Sequence, residues 1–409
     1  MGRPVSKGAR LTTVTSAERR HVTRVVVAAG IANVLSVLPA FLVGALAVLI
    51  REDLAFSERA LGAGLSIYFG VGALASVVGG RITERFGART ALRLTALSCV
   101  AGSAVIAAAG SFPVLVAGLA VAAFGGAIAQ PATNLILARE IPPARQGLAF
   151  GIKQASGPTA ALIAGTSVPA LGLTLGWRWA FALVWAFAAL TWLVARADTG
   201  GSGRRRAAHR AGDLPLRLLL LLAAAIMPAV GAAMAMGTFF VESAVDFGHS
   251  TGAAGWWLTL GGVAAITLRV VMGRWADRVP AGRLVMVTRM LVLGAAGFVL
   301  LAFSGSAWLL LPATLLAYGA GWGWPGLYHF GIVRLNPQAP ADATGIVVTA
   351  MASGGLAGPF LFGVLVEAYS YRAAWLTFAA VLAVSAVLLR STVTAIRRHA
   401  AHTAAAAQR

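Results

Sequence analysis

Long apolar runs recur along this chain, and they constrain its fold more than any other feature. Twelve can be drawn, at roughly 25–50, 60–80, 92–110, 113–136, 147–170, 179–195, 218–241, 253–273, 285–304, 308–333, 343–366 and 373–390. Each is near the roughly 20 residues that cross a bilayer's hydrocarbon core as a helix. In lipid no water is present to pair with backbone N–H and C=O groups, so runs of this length must be helices. The composition agrees, with 59% hydrophobic and 11% charged residues. A soluble domain is nearer half apolar and a quarter charged. The expected fold class is an all-α membrane protein with twelve transmembrane helices.

The formal net charge of +20 invites a nucleic-acid partner, but the placement of the charge excludes one. The basic residues sit in the gaps between apolar runs. One alternating set of gaps holds 27 of the 33 Lys and Arg, and the opposite set holds four: Arg51, Arg59, Arg178 and Arg372. That bias predicts that both termini lie in the cytoplasm, as the even number of spans requires. The expected organisation is a cytoplasmic N-terminal tail over 1–24 and a six-helix half over 25–195. A Gly- and Arg-rich cytoplasmic linker follows over 196–217, then a second half over 218–390 and a C-terminal tail over 391–409. The tail at 1–24 has no short apolar stretch with a cleavage site, so it reads as a tail and not as a signal peptide. The single cysteine, Cys99, lies inside an apolar run, so no intramolecular disulfide is possible.

The two halves repeat. Gly80, Arg81, Glu84 and Arg85 reappear as Gly273, Arg274, Asp277 and Arg278, all displaced by 193. Pro131 and Pro325, Gly151–Ile152 and Gly345–Ile346, and Arg178 and Arg372 are displaced by 194. Six helices followed by six in the same order is a parallel repeat.

The gap between the second and third runs carries G-x3-(D/E)-R-x-G-x-R, as Gly80, Glu84, Arg85, Gly87 and Arg89. In this the chain resembles the major facilitator superfamily, and the resemblance covers almost its whole length. It implies two parallel six-helix repeats and secondary transport by alternating access. It also implies that Gly80, Glu84, Arg85, Gly87, Arg89, Gly273, Asp277 and Arg278 form a cytoplasmic latch. The second copy has Pro280 where the inner glycine stands in the first. The plainer reading of these charges is topology alone.

Charges inside spans are functional candidates by default, and two fall there. Lys153 is in the fifth run, and the chain's only other lysine is Lys7. Arg269 is in the eighth run, four residues before Gly273. Its R-x3-G spacing resembles the helix-8 arginine of monocarboxylate and oxalate transporters, which contacts the substrate carboxylate. Those families carry an Asp one turn earlier, where this chain has Ala265. The structural alternative for both cations is snorkelling to the membrane surface. The 13 acidic residues fall in gaps or at span edges, Glu242 being nearest to a run's interior. An anionic substrate would therefore supply the missing counter-charge, since Arg offers a planar fork and Lys a point charge. Asn33, Tyr68, Gln130, Asn134, Gln154, Tyr328 and His329 are polar groups that would complete the site, although each is individually as well explained by an interhelical hydrogen bond.

Other patterns carry no chemistry. Gly248 to Gly252 spells G-x-S-x-G without the strand that a nucleophile elbow needs, so Ser250 is expected to cap the eighth helix. Gly321 to Gly326 spells G-x-G-x-x-G inside a helical run with no βαβ context. No enzyme activity, cofactor or metal is expected. The reading is a secondary transporter of a small organic anion such as a carboxylate, with a co-transported proton as one mode of coupling. Export of hydrophobic drugs or metabolites is the alternative. Glycine–proline pairs at Gly157–Pro158 and Gly358–Pro359 match the drug/proton antiporter signature only in part, and segment 117–126 lacks those antiporters' arginine. A membrane receptor or assembly factor is the non-transport alternative. The expected setting is a bacterial-type inner membrane, with lipid and a small-molecule substrate as partners and a monomeric state.

Overall fold

The computed structural model describes residues 16–142, 149, 151–195, 214–278, 282–338 and 340–407. Helices make up nearly all of it, with no strand among the described residues. Helix α1 spans Ser16–Ala45 and continues through a short segment, Ala47–Leu54. The element Glu58–Ala107 comprises α2 (58–86) and α3 (88–107), which meet at Gly87. Helix α4 is Phe112–Glu140, α5 covers 151–172, and α6 joins Trp177–Ala180 to Ala182–Val194. In the second half α7 is Leu216–Asp246, α8 Thr251–Arg278 and α9 Arg283–Leu301. Helix α10 covers 307–335 in pieces, α11 is Pro340–Ala368 and α12 Tyr371–Ala407.

The twelve passes follow the apolar runs. Nine described helical stretches are each long and apolar enough to cross a membrane, and one of them contains both α2 and α3. The two passes outside that set are interrupted. Helix α5 ends in a π-helical turn over Val168–Gly172, which contains Pro169. Helix α10 carries a π-helical turn over Leu315–Ala320 and breaks again before Pro325, which has no N–H to give. Large apolar side chains cover the bundle's outside, among them Trp308 at 88% and Leu74 at 84% exposed. In water that surface would drive association, whereas in lipid it is the solvated face.

Helix extends beyond the apolar runs at both ends of the described chain. Helix begins at Ser16, nine residues before the first apolar run, and α12 runs on to Ala407 through the alanine-rich end. Alanine is the best helix former, so the helix outlasts its membrane-length apolar stretch. Most of the expected linker, 196–213, and residues 1–15 lie outside the described residues. Ser250 caps α8 as expected, accepting from Ala253 N at 3.3 Å.

The repeat is visible in side-chain contacts. Arg178 donates to Ala109 O at 2.9 Å in the first half, and Arg372 donates through Nε to Ala302 O at 3.2 Å in the second. Each arginine thereby fastens the start of its half's last helix to the end of its third. The signature glycine has a matching role. Gly87 sits at φ 81° and ψ 161°, a conformation essentially restricted to glycine, and turns α2 into α3. In the second half Pro280 lies outside the described residues, and Gly282 at φ 91° leads into α9.

The halves meet at the end of the bundle away from the termini. A Cβ on Gly62 of α2 would lie 2.3 Å from Pro359 O of α11, and one on Gly165 of α5 would lie 2.6 Å from Gly255 O of α8. A Cβ on Gly44 of α1 would lie 2.9–3.0 Å from the backbone of Gly237 and Thr238 of α7. Near the termini, a Cβ added to Gly80, Gly151, Gly273 or Gly345, one each on α2, α5, α8 and α11, would meet nothing within 4 Å beyond its own helix. The bundle is sealed at the distal end and parted at the end that carries both termini.

Gly87→Ala should cost about 1–3 kcal/mol of stability, because alanine resists this backbone conformation. Gly80→Ala, in open space on a helix, should be neutral or slightly stabilising. Thermal unfolding of the detergent-solubilised protein checks both, and equal melting temperatures for the two variants would contradict the assignment.

Candidate transport site

Lys153 stands near the terminus-side end of α5, 3% exposed. Its Nζ donates to Gln130 Oε1 at 2.8 Å and to Asn134 Oδ1 at 2.5 Å. Gln130 and Asn134 are four residues apart, so α4 presents both on one face. From α1, Asn33 donates its amide to the Lys153 carbonyl at 3.4 Å and to Ser156 Oγ. Four residues picked out by the sequence thus converge from three helices of the first half, with Gln130 and Asn134 on the exposed side of the cluster. An ammonium has three donors, and two are taken by neutral amide oxygens.

Arg269 of α8 reaches across to the first half. Its guanidinium donates to the backbone carbonyl of Gln154, next to Lys153, and to Trp322 O at 2.8 Å. It also lies over the Trp322 ring, 5.6 Å from the centroid. Its Nε is buried with no acceptor. Among the described residues neither Lys153 nor Arg269 takes part in an ion pair. An ion taken out of water costs several kcal/mol, which neutral acceptors offset only partly. His329 is on α10, and its Nδ1 lies 2.8 Å from Pro325 O.

On the distal side the site is closed by aromatic rings. Phe41 of α1 stacks on Trp322 of α10 with centroids 5.5 Å apart, joining the two halves. Beyond this pair a small apolar cavity is lined by Phe41, Leu65, Phe69, Met234 and Thr238, among others.

Some expected site residues are used elsewhere. Tyr68 is buried and donates its hydroxyl to Ser36 O, tying α2 to α1. Tyr328 is fully buried and donates to Leu222 O at 2.9 Å, tying α10 to α7. Gln154 contributes its backbone carbonyl. Trp324 and Met236 are fully buried in packing. At the terminus-side end, Glu84 is exposed and has no ion-pair partner among the described residues, while Arg85 lies 5.3 Å from the Phe86 centroid. Arg89 has partners of its own, Gly273 and Arg278 are exposed on α8, and the Asp277 side chain lies outside the described residues. Sequence reasoning missed Ser156, the Phe41–Trp322 stack and the full burial of Glu242, at 4% exposed. Only Glu242 left a trace, as an acidic residue at the end of an apolar run. No group of three or more His, Cys, Asp or Glu is placed to hold a metal among the described residues.

The Major Facilitator Superfamily profile matches residues 29–245 and again 218–408, one match for each half. This chain belongs to the Major Facilitator Superfamily. As a facilitator-family protein it is a multi-pass membrane transporter. Among characterised proteins it is similar to the chloramphenicol efflux pump of Mycobacterium tuberculosis strain H37Rv. The two are 29% identical over 343 residues, which is 80% of this chain and 81% of the pump. The counterpart from strain CDC 1551 matches to the same extent. Among solved structures, a bacterial homologue of the human lysosomal transporter Spinster, in an inward-facing and occupied conformation, superposes with a TM-score of 0.70. It is 15% identical, with 91% of this chain and 97% of that one covered. A D-xylose–proton symporter gives 0.70 at 15% identity, covering 90% and 97%. The human organic anion transporter MFSD10 gives 0.65 at 18% identity, covering 92% and 100%. At these identities the solved structures establish the shared fold.

Hydrogen bonds to a charged group contribute about 1.5–3 kcal/mol each. Gln130→Leu and Asn134→Leu should therefore each lower the melting temperature. In a Lys153→Met background the same replacements should have little effect. Additive losses in both backgrounds would show that the two amides do not serve Lys153.

Proposed function

We propose that this facilitator is a secondary transporter of a small organic anion of the carboxylate class, working by alternating access between its two halves. The observation that supports it is the pair Lys153 and Arg269: two cations, one from each half, with spare donors and only neutral partners. A carboxylate between them would take the unused donors and supply the counter-charge. Because the two cations belong to different halves, binding would draw the halves together on the terminus side. The stacked Phe41 and Trp322 rings would face an apolar or aromatic part of the solute.

A second reading is export of neutral or hydrophobic drugs. The two mycobacterial proteins named as chloramphenicol efflux pumps favour it, as does the apolar lining by Phe41, Phe69 and Met234. In that case the two cations are structural.

The proposed setting is a bacterial-type inner membrane with both termini cytoplasmic, which the distribution of Lys and Arg supports. The parted end would then face the cytoplasm. The protein works as a monomer in lipid, and a co-transported proton is one mode of coupling. Glu84, Arg85, Arg89 and the exposed Arg278 form the cytoplasmic latch with Asp277, engaging when that end closes.

Flux in proteoliposomes separates the readings. With radiolabelled mono- and dicarboxylates, initial rates should fall about 10- to 100-fold in Lys153→Gln and Arg269→Gln, the equivalent of one or two charge-assisted hydrogen bonds. Chloramphenicol flux that both variants retain, with no carboxylate flux in the wild type, would establish the export reading instead.

A further inference from the structure

At the sealed end a buried ion pair joins the halves, and the transport site does not use it. Arg51 closes the extension of α1, and its guanidinium lies 2.7 Å from the carboxylate of Glu242 on α7. Glu242 is 4% exposed, so this pair sits inside the bundle and not on its surface. Each partner is held from its own half. Glu58, at the start of α2, accepts a hydrogen bond from Arg51. Tyr371, at the start of α12, donates its hydroxyl to Glu242 at 3.1 Å. Arg51 and Glu58 belong to the first half, Glu242 and Tyr371 to the second, so Arg51–Glu242 is the contact that crosses.

Close packing surrounds the pair. A Cβ on Gly363 of α11 would lie 2.6 Å from Glu58 O, and Gly44 packs against Gly237 and Thr238. Further polar links cross nearby: Ser57 donates to Glu367 at 2.9 Å, the Arg59 guanidinium lies 6.0 Å from the Phe360 ring, and Phe360 N donates to Ser66 Oγ at 3.1 Å. The first two are more exposed, and solvent weakens exposed links; the third joins neutral groups. A charge pair in the interior is different, since removing one partner leaves the other buried and uncompensated.

We propose that Arg51 and Glu242 form a clasp that holds the distal end shut, and that alternating access requires this pair to part. Water then enters and solvates both charges, which lowers the cost of separating them. The clasp therefore acts as a two-state element: paired and dry when the distal end is sealed, or separated and wet when it is open. In the structure the clasp is made while Glu84 at the opposite end stands exposed and unpaired among the described residues. The two ends are thus in opposite states.

Distances between spin labels test it. The chain's one cysteine, Cys99, is fully buried, so introduced cysteines are labelled without background. Labels at Thr174→Cys and Tyr369→Cys, exposed on distal loops of the two halves, report opening without substrate. Glu242→Gln and Arg51→Gln should each raise the ratio of open to closed distal distances by about ten-fold or more, a shift of 1.4 kcal/mol. Arg51→Lys, which keeps the charge, should stay close to wild type. Asp53→Asn is the control. It removes an exposed carboxylate paired with Arg178 inside the first half and should leave the distances unchanged. If Glu242→Gln does not fold, Arg51→Gln and Tyr371→Phe carry the test, the latter through its loosened hold on Glu242. Folded Glu242→Gln and Arg51→Gln proteins with the wild-type distance distribution would overturn the clasp. So would an equal shift in Asp53→Asn. Neither result would alter the carboxylate reading, which stands or falls on flux.

Discussion

In hydrocarbon no water is available for a backbone N–H or C=O, and every structural feature of this chain is shaped by that fact. Each pass must satisfy its own backbone, so it must be a helix. Where the ladder is broken, in α5 at Val168–Gly172 and in α10 at Leu315–Ala320 and Pro325, the irregular segments pack within the bundle. Lipid also removes the hydrophobic drive between helices, because tails are as apolar as leucine. What remains is close approach, and glycines supply it. Gly62 against Pro359 and Gly165 against Gly255 are places where one added carbon would meet backbone. These seams lie between the halves at one end only, which lets the other end part.

The same constraint gives charge its weight. A charged side chain inside a span is costly wherever it lacks a partner. Two solutions coexist. Lys153 and Arg269 are surrounded by neutral acceptors and retain spare donors, an arrangement suited to an incoming anion. Arg51 and Glu242 neutralise one another across the halves, an arrangement suited to holding a seal. The first pair has no counter-charge among the described residues, and the second carries its own. Asp53 and Arg178 contrast with both. They pair in the open, where Arg178 and then Trp177 hydrogen-bond to the Asp53 carboxyl and hold it below the usual carboxylate range. That contribution is present above the ordinary carboxylate pKa and is lost as the pH falls through the lowered one. Being exposed, it anchors a loop and does not gate the path.

The sequence by itself determined the number and class of the passes, the repeat and the family. Those depend on run length, on a near-constant offset of 193 to 194 residues and on the Gly80–Arg89 signature, all properties of the linear chain. It also singled out Lys153, Arg269, Asn33, Gln130 and Asn134, because polar groups inside apolar runs are conspicuous wherever they end up. Only the tertiary structure decided which of them meet. Tyr68 and Tyr328 look equally conspicuous, yet their hydroxyls serve Ser36 and Leu222 inside single halves. The Phe41–Trp322 stack and the Arg51–Glu242 clasp were not legible, because an aromatic residue in an apolar run and a charge at a run's edge are ordinary in sequence. Their roles arise from partners roughly 190 to 280 residues away in the chain, and such pairings exist only once the helices have packed.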